Sequence, residues 1–267
     1  MTSDPDDQKS RVRQQFNAIS PEYDSGPGAF AHYGRRLVET IQPTPGAKLL
    51  DVATGRGAVF FPAVQAVGNQ GKVTGIDLAD EMAARTNAEA ESRGINARVE
   101  VMDGENLSFD DESFDYVLCG FGIMFFPDQL RALEQFRRVL KPGGRIGVTT
   151  WRVGQNVELD PILTGLGVNL PPHAPGWISE PEVLSKLLAR GGLGNVHVIA
   201  DEAEFRISDA EEYWQQARGT GFRRVLDGLD AEITKRAKKQ LAERLESLRG
   251  ADGIKVKMTA LIATADR

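Results

Sequence analysis

The fold of this chain is decided at residues 48–57, which read Lys48-Leu49-Leu50-Asp51-Val52-Ala53-Thr54-Gly55-Arg56-Gly57. An apolar run leads directly into a turn with two glycines, which is the pattern of a buried strand followed by a ligand-binding turn. Gly55 and Gly57 allow a tight turn and a close approach of a ligand to the backbone, and amide N–H groups at the start of the next helix face that ligand. The stretch therefore predicts a cofactor site at the end of the first strand.

The residues after this turn limit the choice of cofactor. A dinucleotide-binding turn has a third glycine where this chain has Phe60, so NAD is disfavoured as the cofactor. An NAD-dependent oxidoreductase remains an alternative function. A Walker-type loop requires Lys and then Ser or Thr, whereas Ala58 and Val59 follow the turn here, so ATP is disfavoured. A second apolar run, residues 72–76, ends in Asp77, whose carboxylate can accept hydrogen bonds from ribose hydroxyls.

Five motifs then follow in a fixed order along the chain. They lie at residues 51–57, 73–82, 102–107, 114–119 and 140–144. In order and spacing they resemble the motifs of class I S-adenosylmethionine-dependent methyltransferases, and most of all the ubiquinone/menaquinone-biosynthesis type (methyltransferase type 11). The resemblance is good over residues 11–151 and looser beyond. Ala53 stands where the commonest form of the family has its first glycine.

Short apolar strands that alternate with helices predict an α/β fold with a parallel sheet covered on both faces. The resemblance implies a Rossmann-like, doubly wound, seven-stranded sheet, mostly parallel with an antiparallel last strand, plus helical lid insertions. A single methyltransferase domain, 1–267, is expected. It divides into an N-terminal helical cover (1–46), a cofactor-binding core (47–151), and late strands (152–267) with a helical lid at about 209–249. The predicted strands of the core lie near 48–53, 72–77, 97–101, 114–119 and 144–151, with helices near 57–67, 80–93 and 128–139.

The resemblance implies S-adenosyl-L-methionine as the cofactor. The matching positions expected to hold it are Tyr23, Asp51, Ala53, Thr54, Gly55, Asp77, Leu78, Met82, Asp103, Gly104 and Cys119. Three of these have a structural alternative: Asp51 can cap backbone N–H groups, Met82 can pack in a helix core, and Asp103 can form a turn. Cys119 is expected to be a small buried residue whose main-chain carbonyl meets the methionyl amine.

The segment 120–127 follows the fourth strand, where the resemblance places the methyl acceptor. It is apolar and lacks the polar motif of base-modifying methyltransferases, which favours transfer to oxygen or carbon of a small apolar or aromatic metabolite. Candidate acceptor contacts are Phe121, Trp151, Trp177, Tyr213 and Trp214, and candidate general bases are His173 and His32. The same fold can also bind S-adenosylmethionine for a non-methylating reaction such as a cyclisation, which is the first alternative.

Composition is typical of a globular enzyme. The 267 residues are 41% hydrophobic, enough for one domain with a sizeable core. The formal net charge of −6 disfavours nucleic acid as a partner. The polar, acidic start and the lack of an apolar run of about 18 residues predict a cytoplasmic protein without a membrane span. A single cysteine excludes an internal disulfide, no metal site is expected, and the oligomeric state stays open.

The N-terminal segment is expected to be a cover. Residues 7–19 have an apolar helical stripe, and the following residues 20–28 are rich in Pro and Gly. We expect this segment to close over bound cofactor, with the Tyr23 hydroxyl near the cofactor carboxylate. A fixed helix that only covers the sheet is the alternative.

Overall fold

A computed structural model describes residues 4–24, 26, 28–153, 157–170, 178–220 and 222–267. Two residues singled out above, His173 and Trp177, lie outside these ranges. In the described part of the chain, no helix is long and apolar enough to cross a membrane, and no cluster of metal-ligating side chains occurs.

The centre of the molecule is one mixed β-sheet. Its strands are β1 (Lys48–Val52), β2 (Lys72–Asp77), β3 (Arg98–Val101), β4 (Phe114–Gly120), β5 (Leu140–Val153), β6 (Gly194–Ile207), β7 (Arg249–Gly250) and β8 (Gly253–Asp266). Seven run in the order β3-β2-β1-β4-β5-β8-β6, and the two-residue β7 pairs with β8. Only β8 runs antiparallel to its neighbours β5 and β6 within the seven-strand path that the structure describes. The predicted seven-stranded sheet with an antiparallel last strand is confirmed, with β7 as a small addition.

The described helices surround this sheet. They are α1 (Pro5–Ile19), α2 (Ala29–Ile41), α3 (Phe60–Val67), α4 (Asp80–Ser92), α5 (Gln129–Val139), α6 (Leu159–Gly165), α7 (Pro181–Arg190), α8 (Ala210–Arg218), α9 (Arg223–Asp227) and α10 (Ala231–Ser247). Four of the described helices begin at an aspartate whose side chain accepts a backbone N–H of the first turn: Asp4 from Asp6, Asp128 from Arg131, Asp209 from Glu212 and Asp230 from Ile233. Helix α3 begins later than predicted because Gly57, with φ of +85°, still belongs to the turn.

Helices cover both faces of the sheet, as predicted. Adjacent strand residues point to opposite faces of the sheet, so the fully buried neighbours Leu49 and Leu50 pack against the helices on its two faces. Leu49 packs in a cluster with residues of α2, α3 and α4, whereas Leu50 packs with residues of α5 and α7. A parallel sheet buried on both faces explains why its strands are continuous apolar runs.

A third apolar cluster lies over the late part of the sheet. It joins residues of α2, α6, α8 and α10 to the outer halves of β6 and β8. Three helices, α8 to α10, occupy the range 209–249 in which a helical lid is expected. Helix α6 was not predicted because it has only seven residues and contains Pro161.

The strand order places the site. The chain proceeds outward from β1 through β2 to β3 and then returns to the other side of β1 as β4. Ligands of open α/β sheets bind beyond the carboxyl ends of the strands where this reversal occurs. The glycine turn after β1 and the loop after β4 therefore face one crevice.

Candidate active site

The turn after β1 has an unusual backbone. Ala53 and Gly55 both have left-handed φ angles, of +56° and +55°. That conformation costs an L-residue about 1 kcal/mol, so Ala53 stores a small strain where glycine stores none. The Thr54 N–H donates to the Ile76 carbonyl of β2 (3.0 Å), and the Thr54 hydroxyl donates to the main-chain carbonyl of Asp51 (3.0 Å). These bonds hold the turn against β2 and leave Thr54 itself buried.

Asp77, at the tip of β2, holds the turn from the other side. Its Oδ2 accepts the Gly55 N–H at 2.7 Å and its Oδ1 accepts the Ala79 N–H at 2.8 Å. Each carboxylate oxygen has a second lone pair, and Asp77 lines the cavity beside the turn. The same side chain therefore shapes the glycine turn and offers acceptors to a ligand.

A cavity lies between the carboxyl edge of the sheet and α1. Seven of the expected cofactor residues line it: Tyr23, Ala53, Gly55, Asp77, Leu78, Asp103 and Gly104. Further lining residues, which were not among the expected cofactor residues, come from the cover and from the loops after β3 and β4: Lys9, Val12, Phe16, Met102, Phe125, Phe126 and Pro127. Val12 and Phe16 belong to the apolar helical stripe of the N-terminal segment that we expected to close over the cofactor.

Four expected cofactor residues lie outside the cavity lining. Asp51, Thr54 and Cys119 are buried within or beside the strands, and Met82 is fully buried against Ile19 and Ala79. Burial raises the pKa of the Cys119 thiol above its usual range, which keeps this side chain neutral. Contacts of these residues with a ligand stay predictions.

Carboxyl groups dominate the polar side of the site. Asp51 is 1% exposed, and neither carboxylate oxygen has a hydrogen-bond partner in the described chain. Burial raises the pKa of this carboxyl well above its ordinary value, and the charge of Asp77 adds to the shift. Burial likewise raises the pKa of Asp77 to about 6. A ligand that brings positive charge here would compensate both groups.

Aromatic rings form another side of the site: Tyr23 and Phe121 line the cavity, and Phe30 and Trp151 pack against them from outside the lining. Phe121, in the loop after β4, lines the cavity with a left-handed φ of +55°, and its N–H donates to the Thr149 carbonyl and hydroxyl. Its ring stacks on Trp151 at 4.3 Å between centroids and lies edge-on to Phe30 at 5.3 Å. Phe30 in turn stacks on Tyr23 at 5.0 Å. We call these four residues the aromatic wall; Phe30 was missed because it reads as an ordinary core residue of a helix.

The remaining candidates lie apart from the cavity lining. His32 sits edge-on to Tyr33 and Phe205. Tyr213 accepts the Glu158 N–H at 3.1 Å, and Trp214 lies under the Lys238 ammonium at 5.2 Å. Both aromatic residues of α8 are nearly fully buried and pack the cluster below the late helices. Their roles toward an acceptor, and that of His32 as a base, stay predictions.

The family follows from a comparison with protein-family models. The model of the ubiE/COQ5 methyltransferase family matches residues 4–157, which include the cover, the glycine turn, Asp77 and the aromatic loop. The chain belongs to the ubiE/COQ5 methyltransferase family. It is an S-adenosyl-L-methionine-dependent methyltransferase, which sets aside the NAD alternative.

Curated relatives agree with this placement. Aklanonic acid methyltransferase DauC of Streptomyces sp. (strain C5) is 41% identical over 162 residues, 59% of this chain and 74% of that protein. Nocamycin O-methyltransferase of Saccharothrix syringae is 42% identical over 50% of this chain and 49% of that protein. Demethylmenaquinone methyltransferase of Staphylococcus epidermidis is 35% identical over 52% of this chain and 59% of that protein. The chain thus spans only about half of the length of the last two proteins.

Solved structures share the fold. The YcgJ protein of Bacillus subtilis matches with a TM-score of 0.60 at 20% identity, over 88% of this chain and 98% of that one. The [4+2]-cyclase SpnF matches with a TM-score of 0.61 at 20% identity, over 97% and 96%. At these identities the likeness concerns the fold alone.

The residues present fit S-adenosyl-L-methionine. This cofactor carries a sulfonium and an ammonium cation, and the site offers the buried, unpartnered carboxylate of Asp51 together with Asp77. A Cβ placed on Gly55 would meet Tyr23 Cε1 at 3.7 Å, and both residues line the cavity, so the turn borders the cavity without a side chain of its own. A cationic ligand with a slender methionyl arm matches both features.

We expect the affinity for S-adenosyl-L-methionine to fall as the pH is lowered through about 6. The pKa of Asp77 is raised to about 6 in the free protein, and a bound cation favours its ionised form, so binding releases protons and tightens as pH rises. Calorimetric titration at about pH 5.5 and about pH 7.5, in two buffers of different ionisation enthalpy, measures both effects. Equal affinity and no proton release would show that the Asp77 carboxyl does not interact with the bound cofactor.

Proposed function

We propose that this enzyme transfers the methyl group of S-adenosyl-L-methionine to an oxygen or carbon atom of a small, apolar or aromatic molecule. The observation that carries the proposal is the aromatic wall of Tyr23, Phe30, Phe121 and Trp151 beside the glycine turn. Stacked and edge-on rings bind planar apolar molecules well and bind strongly hydrated ones poorly. The net charge of −6 adds to the argument for a small acceptor over nucleic acid.

The names of the relatives support this acceptor class. Two of them are named for methylation of aklanonic acid and of demethylmenaquinone, and a third is named as the O-methyltransferase of nocamycin.

The cofactor is proposed to lie along the cavity from Asp103 to the glycine turn. Asp77 accepts from the ribose hydroxyls, because each of its oxygens keeps a lone pair beyond its backbone partner. Asp103, at the opposite end of the cavity lining, accepts from the adenine amino group. The methionyl part meets the turn at Ala53 and Gly55, with Asp51 as the buried counter-charge and the Tyr23 hydroxyl near the carboxylate.

The residues of this chain contribute to catalysis by orienting the cofactor and the acceptor. The cofactor supplies a methyl group on a sulfonium, which is a good leaving group. Asp77 and Asp103 fix the cofactor at two points, and the aromatic wall holds the acceptor while excluding water, so that the reacting atoms meet in line. Such a displacement needs no strong base when the acceptor oxygen or carbon is already acidic. A base, if used, is proposed to be His32 or His173.

A labelled methyl donor tests the acceptor class. We would screen aromatic acids, phenols and apolar metabolites for label transfer, and then compare Phe30→Ala with Phe61→Ala. Phe30 belongs to the aromatic wall, whereas Phe61, on α3, packs under the Arg93 guanidinium outside the cavity lining. We expect Phe30→Ala to raise KM for the acceptor about tenfold, since it removes the ring that supports Phe121 and Trp151, while the affinity for cofactor changes less.

Phe61→Ala is the matched control for Phe30→Ala. Phe61→Ala, checked for folding by its melting temperature, should leave KM for the acceptor near the wild-type value. Equal effects of the two substitutions, or transfer only to hydrophilic acceptors, would contradict the role of the aromatic wall.

A further inference from the structure

Helix α1 presents one face to the cavity. Lys9, Val12 and Phe16 lie at helical spacing on that face and all line the cavity. Val12 and Phe16 are apolar and cover the opening, and the Phe16 ring lies edge-on to Phe125 at 5.0 Å. Lys9 is therefore the one cation that α1 brings to the cavity wall in the described chain.

The Lys9 ammonium lies between two carboxylates. Its Nζ is 2.7 Å from Asp103 Oδ2 and 2.6 Å from Glu105 Oε2. The second oxygen of Asp103, Oδ1, accepts the Glu105 N–H at 2.9 Å. Both oxygens of Asp103 are thus tied, one to the cover and one to its own loop, which fixes the plane of a carboxylate that lines the cavity.

Glu105 is the more deeply buried of the two acidic residues. Its side chain is 3% exposed, and Oε1 accepts the Asp128 N–H at 2.7 Å. Arg131 is near but bonds the main-chain carbonyl of Glu105. Among the ion pairs of the described residues, Lys9 is the only partner of the Glu105 carboxylate. A buried carboxylate without its partner is costly, so Glu105 depends on a seated α1.

We propose that Lys9 is a positioning residue for the cofactor: held between Asp103 and buried Glu105, it fixes the Asp103 carboxylate for the adenine amino group and couples that contact to closure of α1. This inference rests on the proposed placement of the adenine beside Asp103. The role it assigns to Lys9 is to orient the Asp103 carboxylate.

The coupling acts in both directions. When α1 leaves the cavity, Asp103 and Glu105 face each other without a cation, and their repulsion turns the Asp103 carboxylate away from its bonded orientation. When the adenine amino group donates to Asp103, the seated arrangement of all three side chains is favoured over the open one. Lys9 thereby links retention of the cofactor to the position of the N-terminal helix.

Binding of S-adenosylhomocysteine to five variants tests the proposal, measured by calorimetry, dissociation rate and amide exchange of residues 5–19. We expect Lys9→Met to raise Kd about tenfold, mostly through faster dissociation, and to reduce the protection that the ligand gives α1. Lys9→Arg should stay within about threefold of wild type because the charge is kept. In Lys9→Met/Glu105→Gln, most of the affinity should return, because no buried charge is left unpaired.

A matched control comes from the same helix. Arg11→Met removes a cation whose ion pair is with Asp7, within α1 and exposed, and it should leave Kd unchanged. Asp103→Asn separates the inference from its premise. If Asp103→Asn weakens binding while Lys9→Met does not, the role of Lys9 is overturned and the adenine placement stands. If neither weakens binding, both are overturned; failure of Glu105→Gln to restore affinity would overturn the counter-ion argument.

Discussion

Gly55→Val is expected to abolish measurable binding of S-adenosyl-L-methionine and S-adenosylhomocysteine while the protein stays folded. The φ of +55° at Gly55 disfavours a β-branched residue by about 1 to 2 kcal/mol, which a domain of this size tolerates. The larger effect is steric, because the side chain would project beside Tyr23 into the cavity in which the methionyl arm is proposed to lie. Calorimetric titration of the purified variant measures the loss.

Gly94→Val is the matched control for this substitution. Gly94 also has a left-handed φ, of +66°, and nothing lies within 4 Å of a Cβ placed there, but it follows α4 outside the cavity lining. Similar backbone strain should lower its melting temperature without changing cofactor affinity. Normal cofactor binding by Gly55→Val would remove the glycine turn from the site.

Asp77→Ala is expected to weaken cofactor binding by about 1.5 to 3 kcal/mol, which corresponds to a rise in Kd of about tenfold to a hundredfold or more. The substitution removes charge-assisted acceptors from the ribose hydroxyls and also leaves the N–H groups of Gly55 and Ala79 without their partner. Asp77→Asn is expected to weaken binding too, because its amide group would direct N–H donors at one of those backbone N–H groups. Titration calorimetry and thermal unfolding separate affinity from stability.

Asp115→Ala is the corresponding control. Asp115 likewise accepts a backbone N–H, from Lys48 at 2.8 Å, but it lies where β4 begins, whereas the site lies where the strands end. It should lower stability and leave Kd unchanged. A folded Asp77→Ala variant with wild-type Kd would show that Asp77 serves only to hold the turn.

The sheet was predictable because each strand is a short apolar run that ends at a turn residue. Strand β2 begins at Lys72 and ends at Asp77 as predicted, since a charged residue bounds it on each side. The start of β5 was placed too late, at 144, because Pro142 and Gly143 read as a pure turn, whereas the strand already begins at Leu140. The local sequence pattern thus predicts the presence of strands well and predicts their first residues less well.

The parts of the site that belong to local sequence motifs were predictable. The glycine turn and Asp77 belong to single local motifs, and the structure brings them together through one hydrogen bond. Lys9 and Phe30 could not be predicted as site residues in this way. The sequence pattern places Lys9 on a solvent-exposed helix face and Phe30 in a helix core, and their relation to the site depends on contacts with Asp103 and Phe121. Those contacts depend on how the N-terminal helices pack over the finished sheet.

The structure also bears on Met82 and Asp51, for which a structural role was the alternative. Met82 is fully buried against Ile19, which is the environment of a packing residue. Asp51 does not cap backbone N–H groups, because its carboxylate oxygens are without hydrogen-bond partners in the described chain. A buried acid with no internal partner is costly to keep, and a cationic ligand is the compensation that the site provides for.

A crystal structure of the complex with S-adenosylhomocysteine would show where the cofactor lies. We expect ribose hydroxyls within hydrogen-bond distance of Asp77, the adenine amino group at Asp103, the methionyl arm along Ala53 and Gly55, and the sulfur facing the aromatic wall at Phe121. A ligand bound elsewhere, or bound in this cavity with its adenine at the glycine turn, would contradict this placement.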